Sequence, residues 1–408
     1  MEIVHPRCCG IDVHQASLAV CVSIKEEGKT EKHRLRCGTT TADLLRFADW
    51  LHEYKVTHVG MEATGVYWKP VWHVLEGQFE LLLANPTQVR ALRGRKTDLK
   101  DGERIADFLQ HGLLQSSFVP PRPIQELRDL TRSRTTLKQE QVRIGNRIRK
   151  VLEDANVKLS SVMSDVMGVS GREILRAIAG GEFQAAELAE LARGRLRGKI
   201  PVLQQAVTGS LNQHHRFLIE QWLAHWDEVG IRIAKSEKRI EEQTRPFEPA
   251  VQSWTSLPGI DRITAWTIVA EMSADMAPFP TAAHAASWAG LCPGQEESAG
   301  KRQSGRTRQG NVWLRRALTQ AAWGASMRKG SYFKAFYHRL AARKGKKRAI
   351  VAVAHALLIT GYILLRAGKR FEDLGDDYFD RLDRERLTRR LVKRLQRLGH
   401  QVSLQPAA

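Results

Sequence analysis

The chain is poor in the features that would make it a secreted, disulfide-stapled or membrane protein. Its five cysteines, Cys8, Cys9, Cys21, Cys37 and Cys292, form no C-x-x-C pair and no even framework. That excludes a disulfide scaffold, argues against a structural zinc site, and reads as reduced thiols in a cytoplasm. There is no leader pattern, because MEIVHPRCCGIDV runs directly into a strand pattern. One long apolar run exists, Ala349 to Leu365, and it is interrupted by His355, Thr360 and Gly361, so it reads as a buried helix and no membrane partner is expected. No internal repeat is visible. Acid is also scarce: 44 Asp and Glu face 64 Lys and Arg, leaving a net charge of +20 and a pI near 10.0. Such a surplus points to nucleic acid.

With 408 residues there is room for two or three domains. Arg7 to Val13 reads as a strand, Leu18 to Ser23 as a second and Glu31 to Cys37 as a third. Thr39 to Thr41 then offer an N-cap for a helix through Leu44, Leu45, Ala48 and Leu51. A fourth strand (HVGMEAT), a helix from about Val66 to Leu75, a strand from Leu81 to Ala84 and further helix complete a βββαβαβα order, that of a ribonuclease H-like domain. In such a fold the first and fourth strands are neighbours. Asp12 and Glu62 lie in those strands, about 5 Å apart if the strands pair. A carboxylate inside an apolar strand is costly unless paired or bound to metal. Asp98 and Asp101, at i and i+3, share a helix face. The four carboxylates would make a hard oxygen site for Mg²⁺ or Mn²⁺, suited to phosphoryl transfer. Taken alone, Asp98 and Asp101 also fit a solvated helix start, and spacing does not separate them from Glu103 and Asp107.

From the Pro120-Pro121-Arg122-Pro123 break the chain is helical and polar. Ile124, Leu127, Leu130, Leu137, Ile148 and Val151 form a discontinuous apolar stripe with cations on the other face, a coiled-coil-like spacer or a nucleic-acid track. No facing helix is evident, which favours pairing with a second chain. Ser170 and Glu173 read as a capping box, and His214-His215 as surface histidines. Leu257-Pro258-Gly259-Ile260 resembles the turn of a helix-hairpin-helix, where Gly259 would offer backbone N–H groups to a phosphate. The stretch from Gly290 to Arg316 reads as a turn-rich basic loop carrying Ser298 and Ser304. Gly294, Gly300, Gly305 and Gly310 would let its backbone approach a ligand, and Lys301, Arg302, Arg306, Arg308, Arg315 and Arg316 surround the serines. A serine among cations suits phosphodiester chemistry, although a plain phosphate-gripping loop fits as well. Arg384 to Leu398 is a basic amphipathic helix. The domains expected are 1–115 (α/β, catalytic), 116–250 (helical, coiled-coil-like), 251–366 (helical, with the serine loop) and 367–408 (basic tail).

With these residues in view, the chain resembles the DEDD-type transposases of insertion-sequence family 110, subgroup 1111. GIDVH, GMEATGVYW and KTDLKDGERIADFL are similar to the family's four-carboxylate blocks, which puts catalytic and metal-binding roles on Asp12, Glu62, Asp98 and Asp101. GVSGREILRAI, LPGIDRITA and ESAGKRQSGRTRQGN are similar to its middle and C-terminal blocks, and the family serine falls on Ser298. The resemblance implies an α/β RuvC-like domain, a coiled-coil segment and a helical serine-bearing domain. It also implies a DNA recombinase guided by a structured noncoding RNA that pairs with donor and target DNA, in a bacterial, nucleoid-associated setting. Lys96, Gly259, Lys301, Arg302, Arg306, Arg308 and Arg315 are the expected nucleic-acid contacts. Holding several strands together calls for a homo-oligomer, a dimer or a dimer of dimers, with Ser298 of one subunit completing the metal site of another. Gly102 stands where the family usually has Ala, which weakens a helix start by roughly 1 kcal/mol. Asp261 stands where a helix-hairpin-helix usually has a second Gly. The competing readings are a metal-dependent endonuclease or junction resolvase acting by water attack, and a nucleic-acid-binding protein without chemistry.

Overall fold

A computed structural model describes residues 2–405 except 64, 87–88, 90–97, 183, 295, 299–300 and 308, with the backbone alone for 98–100, 296–298 and 301–304. The chain forms two compact units, Met1–Val119 and Pro120–Ala408.

The first unit is built on a mixed sheet of β1 (Arg7–Val13), β2 (Ser17–Glu26), β3 (Lys29–Gly38), β4 (His58–Glu62) and β5 (Glu80–Ala84), in the order β3-β2-β1-β4-β5. The β2–β3 hairpin turns on Glu27 (φ 47°) and Gly28 (φ 83°), a pair of positive φ values that matches the twist of the strands it joins. β1 pairs antiparallel with β2 and parallel with β4, and β4 parallel with β5. One face carries Cys9, Ile11, Val13, Leu18, Val20 and Val22. It is covered by α1 (Thr41–Glu53), through Leu44, Phe47 and Leu51, and by α2 (Trp68–Leu75), through Val71, Trp72 and Leu75. Thr40 caps α1, its side chain accepting from the Asp43 N–H. Covering both faces explains why β2 is buried at successive positions and not only at alternate ones.

The other face lies under α3 (Asp98–Gln110), through Ile105 and Leu109. Here the helix backbone meets the sheet backbone. A Cβ on Gly10 would sit 2.2 Å from the Gly102 carbonyl oxygen and 2.2 Å from the Ala106 nitrogen, and one on Gly102 would sit 2.6 Å from the Ala19 carbonyl oxygen. The sequence reading of Gly102 as a weakened helix start is therefore replaced: at this position a methyl collides with β2. Gly102→Ala should lower stability by about 1–3 kcal/mol, as overpacking does, despite a helix-propensity gain of roughly 1 kcal/mol. A urea midpoint above that of the unaltered protein would show that α3 does not depend on this close approach.

In the second unit the long helix α4 (Arg122–Asp154) starts at the Pro121 N-cap, with Pro at its first turn, where a missing N–H costs nothing. After the short α5 (Leu159–Val162) come α6 (Val169–Gly180), α7 (Ala185–Glu190), α8 (Ile200–Val207) and a second long helix, α9 (Gln213–Thr244). Ile144, Ile148 and Leu152 of α4 share one core with Ile174, Leu175 and Ile178 of α6 and Ile219, Leu223, Val229 and Ile233 of α9. The apolar stripe of α4 thus has its facing helix within the same chain, and its argument for a second chain falls away. Two local readings also change. Ser170 lies inside α6, whose N-cap is Gly168, and its Oγ accepts from the Arg193 N–H. His215 is buried and not a surface residue: it completes the N-terminal cap of α9 with Asn212 and lies 3.0 Å from Asp154.

The remaining helices are α10 (Glu248–Thr255), α11 (Arg262–Met272), α12 (Ala282–Trp288), α13 (Val312–Met327), α14 (Tyr332–Lys344), α15 (Lys346–Ala367), α16 (Tyr378–Leu382) and α17 (Arg384–Arg397). α15 is long and apolar enough to cross a membrane. Here, however, it packs against α10, α12, α13 and α14, with Ile350, Val353, Leu357 and Leu358 buried. Gly361 leaves room for the buried Trp254, whose ring would lie 1.9 Å from any Cβ at 361.

Candidate functional site

Side chains alternate across a strand, so Cys8, Gly10 and Asp12 share one face of β1, and His58, Gly60 and Glu62 one face of β4. Gly10 and Gly60 both meet α3, at Ala106 and at Ile105 and Leu109 respectively. That face also carries Asp12 and Glu62. The parallel register pairs Ile11 with Met61, so Asp12 and Glu62 are the next residues of neighbouring strands, which lie about 4.8 Å apart. The Asp12 side chain is 14% exposed, and its Oδ2 lies 3.0 Å from His14 Nε2.

Asp101 sits in the first turn of α3, beside the Gly102 contact that seats this helix on the sheet. Among the described residues its buried Oδ1 accepts no hydrogen bond, and Arg104 stands 3.5 Å away as an ion-pair partner. A buried carboxylate oxygen without a donor is costly and is what a hard cation would satisfy. Asp98 opens the same helix, and its side chain lies outside the described atoms. Among the described residues no three Asp, Glu, His or Cys side chains close into a metal-sized cluster. The donor chemistry nevertheless fits Mg²⁺ or Mn²⁺ at Asp12, Glu62 and Asp101.

Glu103 and Asp107, which spacing alone left open, have other partners. Lys32 Nζ donates to Glu103 at 2.9 Å and reaches Asp107 at 2.8 Å, while Arg34 lies 2.9 Å from Glu103. The hydrogen bond from Lys32, ahead of the one from Arg34, holds the Glu103 carboxyl below its ordinary range. Both acids therefore belong to an ion-pair cluster that ties α3 to β3. The five cysteines are all free, and burial pushes the Cys8 thiol up to about 12 and raises those of Cys9 and Cys21, so these three buried thiols are inert packing groups.

The serine stretch is a hairpin and not a loop. β6 (Glu296–Ser298) pairs antiparallel with β7 (Lys301–Ser304), Ser298 opposite Lys301 and Ser304 opposite Glu296. Arg302 lies opposite Glu297. The two serines thus stand at opposite ends of the hairpin, Ser298 where β6 ends and Ser304 where β7 ends. Arg308 and Lys96 lie outside the described residues. Arg306 is exposed; its carbonyl accepts from the Gly294 N–H at 2.7 Å, continuing the ladder below the hairpin. Gly310 has a packing reason and not a ligand-approach one: a Cβ there would lie 2.3 Å from the Gly290 nitrogen, where the two ends of the excursion cross. Asn311 N–H then donates to the Trp288 carbonyl and closes the base. Arg315 follows in the first turn of α13, half-buried.

Gly259 also takes a packing role. Its φ of +77° and a would-be Cβ 2.2 Å from the Ala321 carbonyl let the turn lie directly on α13. The helix that follows is capped by Asp261, whose carboxylate accepts from the Thr264 N–H at 2.7 Å. A carboxylate already occupies the place where a helix-hairpin-helix would hold a phosphate.

Sequence reasoning missed Glu271. It is fully buried in α11 and bonded in bidentate fashion to Arg132 of α4 at 2.7 and 2.8 Å, and Asn311 donates to its Oε2 at 2.6 Å. Asn311 Oδ1 meanwhile accepts from the Trp313 and Leu314 N–H groups and caps α13. One carboxylate so ties α4, α11 and the base of the serine hairpin together. The signal was present in Ile268-Val269-Ala270-Glu271-Met272, an acid in an otherwise apolar helix turn.

Acids ranged along one face of a mixed sheet beneath a helix, in one chain with a cationic, serine-bearing helical unit, define the class of enzymes that process nucleic acid. Comparison with known proteins agrees. Residues 9–157 match a family model for DEDD-type IS110 transposases, and residues 252–338 match the model described as the transposase IS116/IS110/IS902 family. An insertion element IS110 uncharacterized 43.6 kDa protein of Streptomyces coelicolor is 28% identical over 299 residues, spanning 68% of this chain and 72% of the relative. The chain belongs to the IS110 family of transposases, whose business is DNA transposition and recombination.

Proposed function

We propose that the chain is the recombinase of an insertion sequence, cutting and rejoining DNA under the guidance of a structured noncoding RNA. In this reading Met1–Val119 is a RuvC-like, ribonuclease H-fold domain, consistent with the strand order β3-β2-β1-β4-β5. The observation that carries the reading is the placement of Asp12 and Glu62 on the face crossed by α3, the helix whose first turn bears Asp101. Asp12, Glu62, Asp98 and Asp101 would hold Mg²⁺ or Mn²⁺. When bound, the ion supplies charge stabilisation to the reacting phosphodiester. The Gly10–Gly102 approach fixes the helix that carries Asp101, and His14 orients Asp12.

Ser298 is the proposed nucleophile. Its hydroxyl oxygen would form a bond to phosphorus as the P–O bond to one strand end breaks; the hydroxyl proton leaves, and the departing strand end takes one up as a hydroxyl. Lys301, paired with Ser298 in the backbone register, would supply positive charge where the phosphorane becomes more negative. Lys301, Arg302, Arg306 and Arg315, with Lys96 and Arg308, would hold the flanking phosphates. Synapsis of donor and target makes a homo-oligomer part of the reading.

Peptide mapping of a trapped protein–DNA adduct should find the DNA on Ser298. An adduct on Ser304 or Tyr332, or full cutting without any adduct, would replace the serine mechanism by attack of water at the carboxylate site. For guidance, RNA that co-purifies with the protein should derive from one defined segment at the end of its own element; a random transcript population would remove this part.

A further inference from the structure

We infer that α17 is a sequence-independent grip for duplex DNA, a docking surface beyond the hairpin and carboxylate sites that rests on the reading of the chain as a DNA recombinase. Among its 14 residues the cations recur at helical spacing: Arg386, Arg390, Lys393, Arg394 and Arg397 fall on one face. An open groove of about 680 Å³ along this helix is lined by these five and Arg389, all cationic. Arg389 lies 3.9 Å from Glu385, whereas the other five have no carboxylate within ion-pair distance among the described residues. Five adjacent unpaired cations on a helix with no buried residue repel one another, and a polyanion relieves that repulsion. A second groove, which Arg386 and Arg390 also line, mixes Asp376, Asp380 and Asp383 with Arg339 and Arg343, whereas the groove along α17 carries cations alone.

The geometry selects the kind of polyanion. A helix with side chains is about 10–12 Å across, and the major groove of B-DNA, about 12 Å wide, admits it. The major groove of A-form RNA is too narrow to enter. Fourteen residues rise about 21 Å, alongside which duplex DNA presents roughly 12 charges, enough for all five cations. Every side chain lining the groove is a cation, and the phosphates, present at every step of any sequence, are the partners such a row of charges meets along the duplex.

The test replaces Arg386, Arg390, Lys393, Arg394 and Arg397 with Gln in the full-length protein. Gln has nearly the helix propensity of Arg and Lys, so α17 is kept. The affinity for a 30-base-pair DNA duplex of arbitrary sequence is measured against salt. The log–log slope should become shallower by about 4–5, at 0.9 per phosphate released, which is roughly a 500-fold smaller loss of affinity between 50 and 200 mM salt. An unchanged slope in a variant whose parent binds the duplex overturns the assignment of α17 alone. A slope that changes for duplex RNA of the same length and not for DNA also overturns it. If the parent protein binds no duplex DNA at all, the recombinase reading fails together with the inference.

Discussion

Asp12→Asn and Glu62→Gln should each yield a folded protein whose strand cleavage is slower by roughly 10³-fold or more, the scale on which lost charge stabilisation at a reacting centre is felt. Both substitutions keep shape and remove one negative oxygen ligand. Since the two residues follow a parallel register pair on a face closed by α3, neither change creates a cavity, and stability without metal should hold or rise slightly as like charges are relieved. The discriminating readout is therefore the thermal response to Mn²⁺. An ion that binds only the folded state stabilises by RT ln(1 + [L]/Kd), about 2.7 kcal/mol at a hundredfold excess over Kd. The unaltered protein should show that shift and both variants should lose most of it. Asp101→Asn belongs to the same series and leaves the Lys32–Glu103–Asp107 cluster intact as an internal control. Retention of the Mn²⁺ shift in Asp12→Asn, or cleavage at the parental rate in EDTA, would remove metal from the mechanism.

What could be read from the sequence and what could not divides along physical lines. β1 was legible to the residue because Arg7–Val13 is an apolar run ended by a turn, and Asp12 stood out as an acid within it. The hairpin β6–β7 was not legible: Glu, Ser, Lys, Arg and Gln carry no apolar alternation, and its pairing is made by backbone hydrogen bonds that any side chains allow. The partner of α4 was missed because its stripe is matched by α9 some 60 residues on, a long-range pairing that periodicity does not encode. Glycine was misread for a similar reason. Gly102, Gly259 and Gly310 are small because another backbone passes within about 3 Å of where a Cβ would stand, and local propensity records only the cost to the helix or the freedom of a loop. Gly168 displaced the expected Ser170 cap because α6 begins one residue before it.

Glu271→Gln should destabilise the second unit by about 3–5 kcal/mol, the cost of leaving a desolvated charge without its partner. The carboxylate has 0% exposure, and Arg128, whose own side chain is 14% exposed, points at it as well as Arg132. Arg128 Nη2 additionally donates to the Glu271 carbonyl at 2.7 Å and Nε to the Ala270 carbonyl at 3.1 Å. Burial holds the Arg128 guanidinium below its ordinary pKa, with Glu271 pulling in the opposite direction. Removing the negative charge would thus strand two guanidinium groups against the end of α11. A double-mutant cycle with Arg132→Met separates this from mere loss of packing, because neighbours in one ionic network are not additive: the second change should cost much less in the Glu271→Gln background than alone. The same substitution loosens the base of the serine hairpin, since Asn311 loses its charged acceptor while it still caps α13. Ser298–DNA adduct formation should accordingly fall further in Glu271→Gln than in a control of equal stability loss, such as Leu318→Ala in the buried face of α13. Equal adduct yields in the two variants at matched folded fraction would reduce Glu271 to a stabilising ion pair with no part in placing the hairpin.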